Sequence, residues 1–121
     1  MRLLYVDDEP DIRTVAVMSL QLQPDFEVRE CHGGALALEM ARDWQPDVVL
    51  LDVMMPQMDG PMTRMALSRD PATCNIPVIF VTARTQPSEL ARLLELGVTG
   101  VIAKPFDPMS LAKQVTTLMG W

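Results

Sequence analysis

Five short apolar runs alternate along the chain with longer stretches whose apolar residues recur at helical spacing. Arg2 to Val6 reads as the first strand. The next stretch predicts a helix with Pro10 in its first turn, Ile12, Val15 and Ala16 on one face, and Pro24 closing it. Phe26 to Cys31 alternates with charge and reads as a second, more weakly patterned strand. Ala37, Met40, Ala41 and Trp44 share a face of the second helix.

Asp47 to Leu51 is the third strand, apolar after its first residue and therefore expected to be buried on both faces. A loop carrying Pro56 and Gly60 follows. Met62, Met65 and Ala66 then mark a third helix, and the methionines between Met54 and Met65 are expected to pack in the core rather than form a binding groove. Ile76 to Val81 is the fourth strand, and Leu90, Leu93 and Leu94 mark a fourth helix that Gly97 can end in the left-handed conformation. Val101 to Ala103 gives a short fifth strand. Asp107 is the candidate N-cap of the last helix, with Pro108 behind it and Leu111, Val115 and Leu118 as the buried stripe.

Strands alternating with helices predict an α/β fold, a doubly wound five-stranded parallel sheet with helices on both faces. Right-handed crossovers restrict how such a chain can wind. With no repeat, low-complexity tract or linker, residues 1–121 read as a single domain.

Composition narrows the class. At 121 residues, 49% hydrophobic and 21% charged, the chain can bury one core. A formal net charge of −6 argues against direct nucleic-acid binding, whose phosphates require a basic face. No apolar stretch approaches the roughly 18 residues of a membrane helix, and the start lacks a signal-peptide pattern, so a cytoplasmic protein with no membrane contact is expected. Cys31 and Cys74 lack metal-ligand spacing and read as buried or half-buried free thiols, with a disulfide between them as the alternative. The only histidine, His32, precedes Gly33-Gly34 and reads as a surface turn residue.

The chemistry lies at the strand ends. In an open parallel sheet, ligands bind beyond the carboxyl ends of the strands. Asp7-Asp8 ends the first strand, Asp52 the third, Thr82 the fourth and Lys104 the fifth; the second contributes nothing. Carboxylates about 5 Å apart at an effective dielectric near 20 repel by roughly 3 kcal/mol per pair, so a cation is expected among them. Oxygen ligands without histidine or thiolate suit Mg²⁺, which keeps several waters and takes one or two carboxylates plus a phosphate. With Lys104 as a point charge and Thr82 as a hydroxyl donor, the set forms a cage for a transferring phosphoryl group. Taken singly, each residue has a plainer reading: an N-cap for the Asp pair, a turn residue for Asp52, a cap for Thr82, a solvated loop lysine for Lys104. Their coincidence at one sheet edge favours the site.

Asp7-Asp8 after the first strand, the run Leu50-Leu51-Asp52-Val53-Met54-Met55-Pro56-Gln57-Met58-Asp59-Gly60, the pair Thr82-Ala83 and the run Lys104-Pro105-Phe106 together resemble the response-regulator receiver domain of chemotaxis-type two-component signalling. The resemblance spans essentially the whole chain. It implies the flavodoxin-like strand order 2-1-3-4-5. It implies Asp52 as the phosphoacceptor for a phosphohistidine of a sensor histidine kinase or phosphotransfer protein. Asp8 and Asp52 would hold Mg²⁺ with the backbone carbonyl of Met54, and Asp7 would act through water. Thr82, Ala83 and Lys104 would surround the phosphoryl oxygens, and the Lys104–Pro105 bond would be cis. Phosphorylation would bias the fourth strand and helix and the fifth strand and helix, with residues 90–96 and 109–119 as the partner-binding or dimerising surface of a monomer or a phosphorylation-promoted dimer.

One position departs from the family pattern. Where many receivers carry a Tyr or Phe three residues before the lysine, this chain has Val101, which cannot report the switch by a rotating ring. Ala83 leaves the phosphoryl group accessible, and Met54 and Arg84 offer nothing to orient a hydrolytic water, so slow self-hydrolysis is expected. The competing enzyme reading, an aspartate-nucleophile phosphatase, requires a second acid two residues after the nucleophile, where Met54 stands, and a cap segment that is missing. A module that keeps the fold without phosphorylation has no use for the clustered acids. A stand-alone chain and a receiver belonging to a larger protein both fit these residues; the self-contained core favours the first.

Overall fold

The computed structural model describes residues 1–121. Strands β1 (Arg2–Val6), β2 (Glu27–Cys31), β3 (Val48–Asp52), β4 (Val78–Thr82) and β5 (Gly100–Ala103) form one parallel sheet in the order β2-β1-β3-β4-β5. Between and after them run α1 (Pro10–Leu20), α2 (Gly34–Trp44), α3 (Gly60–Arg69), α4 (Pro87–Leu94) and α5 (Leu111–Met119). The expected fold and strand order are therefore observed.

Side chains alternate across the central strands, so their apolar runs supply two cores. Leu3, Tyr5, Val48, Leu50, Ile79 and Val81 pack with Ala16 and Leu20 of α1 and Leu111 and Val115 of α5. Leu4, Val6, Val49, Leu51 and Phe80 face Ala37, Ala41 and Trp44 of α2, Leu67 of α3 and Leu93 of α4. The edge strand β2 keeps only Cys31 buried, which is why its pattern alternates with charge.

Two helix faces differ from the sequence expectation. On α1, Val15 is exposed and Ile12 half-buried, whereas Ala16, Ser19 and Leu20 are buried. Ser19 can occupy that face because its hydroxyl donates to the Pro108 carbonyl at 2.8 Å. The helix also stops at Leu20, with Pro24 in the turn beyond it. On α3, Met62 and Met65 are about half exposed, at 52% and 50%, so they do not form the core stripe. The buried face is Gly60, Thr63 and Leu67. Gly34 of α2 lies so close to Thr63 and Met58 that a single added carbon would collide, and this approach admits only small residues between the helices.

The last helix begins at Leu111 with Ser110 as its N-cap; Asp107 instead accepts the Met109 N–H at 2.9 Å in the preceding turn. Both cysteines are free, Cys31 buried and Cys74 exposed rather than half-buried. His32 is exposed in a bend, and Gly97 takes a φ of 78° after α4, as expected. No helix is long and apolar enough to cross a membrane.

Gly60 ties the fold to the strand-end residues. Its N–H donates to the Val53 carbonyl at 2.9 Å, and a Cβ there would lie 2.6 Å from the Asp52 carbonyl oxygen and 2.8 Å from Val53 Cα. Both obstacles are backbone and cannot rotate away. Gly60→Ala is therefore expected to lower stability by about 1–3 kcal/mol, read as an earlier denaturation midpoint, because the loop under Asp52 must shift.

Candidate functional site

Every residue singled out at the strand ends reaches the same edge of the sheet. The parallel register pairs Asp52 with Val81 and Thr82 with Ala103, so neighbouring strands stop at nearly the same height. Backbone bonds extend the ladder into the loops: Asp7 N–H donates to Cys31 at 3.1 Å, Val53 N–H to Val81 at 3.1 Å, and Lys104 N–H to Thr82 at 2.8 Å. The site residues thus inherit the rigidity of the sheet.

Lys104 is the hub. Its Nζ lies 2.8 Å from Asp7 Oδ2 and 3.2 Å from Asp52 Oδ1, with Glu9 Oε1 at 3.9 Å. The Lys104–Pro105 bond is cis. Burial alone would lower the lysine's pKa, but the hydrogen bond to Asp7 and the charges of Asp52 and Asp7 outweigh it and hold the ammonium above its ordinary value.

Asp7 is fully buried, and all its oxygens are engaged. Besides Lys104, Oδ2 accepts from the Tyr5 hydroxyl at 3.1 Å; Oδ1 accepts the Glu9 N–H at 3.0 Å; the backbone carbonyl accepts from Arg13 at 2.8 Å. Asp52 contrasts with it. It is 3% exposed, and its Oδ2 is buried with no hydrogen-bond partner. Burial first, and then the charge of Asp7, push its pKa from 3.8 up to about 6 against the pull of Lys104.

An orphaned carboxylate oxygen inside a group of acids is what a hard cation would complete. Asp7, Asp8, Glu9 and Asp52 each offer a carboxylate oxygen, and these oxygens all lie within 4.8 Å of one another. The donor set is all oxygen, which fits a hard divalent ion. A cavity of about 280 Å³ opens over Asp52 and Lys104, with Met54 and Ala83 on its walls and Glu9 at its rim.

These features make a small acidic pocket with one buried lysine and one carboxylate oxygen left unpartnered. The family model described as the response regulator receiver domain matches residues 3–116. The chain belongs to the response-regulator receiver domain family. It resembles the response regulator PleD of Caulobacter vibrioides, with 38% identity over 119 residues, 97% of this chain and 26% of PleD. It also resembles the transcriptional regulatory protein CreB of Escherichia coli, with 37% identity over 115 residues, 94% of this chain and 48% of CreB. Among solved structures, the Vibrio cholerae chemotaxis protein CheY4 superposes with a TM-score of 0.87 at 31% identity, covering 97% of each chain. This receiver thus spans about a quarter to a half of the length of the curated relatives it matches.

Thr82 is buried beside the cluster, where its hydroxyl oxygen accepts the Arg84 N–H at 3.0 Å. Val101 is half-buried against the core face that holds Leu93 of α4. Three residues escaped the sequence reading. Glu9 joins the acid cluster, and its signal was adjacency to Asp7-Asp8. Its carboxylate at the rim also removes the premise that nothing near Asp52 could orient a water, so the expectation of slow self-hydrolysis loses that support. Tyr5 was hidden within an apolar strand, and Arg13 within a helix, where its second contact is Glu30 at 3.1 Å.

The raised pKa of Asp52 has a consequence for stability in the metal-free chain. Between about pH 4 and pH 6 the folded chain binds a proton that the unfolded chain has released. Stability therefore falls as pH rises through that window, and the cost persists at pH 7. Asp52→Asn removes the buried charge while Asp7 keeps Lys104. The variant is expected to be more stable at pH 7 by about 2 kcal/mol, with a flatter pH dependence, in denaturant melts run in chelator.

Proposed function

We propose that this receiver accepts a phosphoryl group on Asp52 from a phosphohistidine of a sensor histidine kinase or phosphotransfer protein. The observation that carries the reading is the unpartnered, buried Asp52 Oδ2 beside Lys104 at the floor of an open pocket. An ordinary buried carboxylate has its lone pairs satisfied. This one is held with one oxygen anchored and the other free to bond.

In the transfer, Asp52 Oδ2 attacks phosphorus as the phosphorus–nitrogen bond of the donor breaks. The imidazole leaves as the neutral ring, its second nitrogen carrying the proton. Asp52 lines the pocket through which a donor on a partner's surface would reach it. Lys104 moves its charge from Asp7 and Asp52 onto a phosphoryl oxygen. Thr82 supplies its hydroxyl to a second, and Ala83 leaves room for the group. Asp8 and Asp52 would hold Mg²⁺ with the Met54 carbonyl, and Asp7 through water; the ion supplies positive charge to the phosphoryl oxygens. The chain is not a turnover enzyme on this reading, since the phosphoryl group becomes part of it.

The added charge of about −1.5 to −2 then biases β4, α4, β5 and α5 between two arrangements. Leu94 and Leu96 are exposed at 51% and 40% and give that surface its apolar contacts, whereas Leu111 and Val115 of α5 are committed to the core. With Val101 in place of an aromatic ring, the output passes through backbone and helix displacement. A downstream effector protein or output domain reads that surface in the cytoplasm, with the receiver itself a monomer or a phosphorylation-promoted dimer that does not bind nucleic acid.

Intact mass after incubation with acetyl phosphate tests the core of this proposal. Wild type is expected to gain one phosphoryl mass with Mg²⁺ and none in chelator, and Asp52→Ala to gain none in either. An unmodified wild type under all conditions, or an equal gain on Asp52→Ala, removes Asp52 as the acceptor.

A further inference from the structure

Tyr5 is the chain's only tyrosine and is fully buried in the α1–α5 core, yet its hydroxyl ends on a charged group. It donates to Asp7 Oδ2 at 3.1 Å, on the same oxygen that receives Lys104 at 2.8 Å. A phenolic hydroxyl is protonated at neutral pH in any case, so it stands as a donor to that carboxylate.

The pairing creates a problem for phosphoryl acceptance. Lys104 serves two buried carboxylates, and a phosphoryl group on Asp52 would draw it away from Asp7. A fully buried carboxylate that loses its cation has a large desolvation cost unless other donors remain. At Oδ2 the remaining donor is Tyr5; the Glu9 N–H serves only Oδ1.

Resting on the phosphoacceptor reading above, we propose that Tyr5 is a positioning residue for phosphoryl acceptance: its hydroxyl keeps Asp7 satisfied while Lys104 swings onto the phosphoryl oxygens. A phenyl ring at this position would fill the same core but leave Asp7 more dependent on Lys104, and the lysine less free to leave. A hydrogen bond to a charged group is strong enough for the loss of the hydroxyl to change the rate by about tenfold. Direct coordination of the divalent ion is assigned to Asp8, Asp52 and the Met54 carbonyl, whereas Asp7, which Tyr5 contacts, reaches the ion only through water.

The test compares wild type, Tyr5→Phe, Asp7→Asn and the double variant, after thermal melts of each. Tyr5→Phe is expected to take phosphoryl groups from acetyl phosphate about tenfold more slowly, while its Mg²⁺ affinity by calorimetry changes less than about twofold. On the Asp7→Asn background the same substitution should add nothing. A ¹³C label on the single tyrosine supplies a readout on the wild-type fold. Its ring-carbon resonance should shift when beryllium fluoride, a phosphoryl stand-in, is added with Mg²⁺, and stay fixed in Asp7→Asn. Equal rates for wild type and Tyr5→Phe, a parallel loss of Mg²⁺ binding, a loss undiminished on Asp7→Asn, or an unmoved resonance in the wild type would each overturn the assignment. A wild type that accepts no phosphoryl group overturns the phosphoacceptor reading itself, and this inference with it.

Discussion

Lys104 is the only ion-pair partner of Asp7 and Asp52, and it lies within 3.2 Å of both. Two buried carboxylates and one ammonium leave the cluster short of positive charge, and Asp8 and Glu9 deepen the deficit. The other features of the site answer that shortage. Tyr5, the Glu9 N–H and Arg13 occupy Asp7, the burial of Asp52 raises its proton affinity, and one Asp52 oxygen stays bare. A structural ion-pair network of this depth would normally be closed, because an incomplete one destabilises the fold. Leaving it open is tolerable only where a ligand supplies the missing charge.

The fold is what keeps such a strained set of charges together. Apolar strands sealed on both faces set the heights at which the chain emerges, and ladder bonds continue one residue past the strand ends to fix the loops. Gly60 adds a second restraint, because its bare Cα lets the start of α3 sit directly on the backbone of Asp52 and Val53. The helices mainly seal the sheet, and the chemistry is carried by the loops at one edge.

Much of this was legible in the sequence. Strand runs such as Val48–Leu51 are continuous and apolar, so their number, type and carboxyl ends could be read, and with them Asp7, Asp8, Asp52, Thr82 and Lys104. What was misread has a common physical origin. Helix faces were inferred from hydrophobic size, yet α3 buries Thr63 because α2 approaches closely at Gly34 and Gly60 because it sits on the backbone of Asp52 and Val53, and α1 buries Ser19 because its hydroxyl donates to the Pro108 carbonyl. Period and hydropathy do not encode interhelical distance. Tyr5 was invisible for a related reason: in a strand it counts as apolar, and its hydroxyl meets the carboxylate of Asp7 just beyond the end of β1.

The groups around Lys104 come from the first, middle and last parts of the chain, with Asp7 near the start, Asp52 near the centre and Lys104 behind the fifth strand. No subset of neighbouring residues contains the pocket, so it has no meaning before β1, β3, β4 and β5 have all paired. Closing such distant segments is the slow part of folding a parallel sheet. On a ribosome, the chain must release Lys104 before the pocket exists, so a nascent or partly unravelled chain carries the acids without their lysine. The assembled pocket is thereby a certificate that these four strands have found their places.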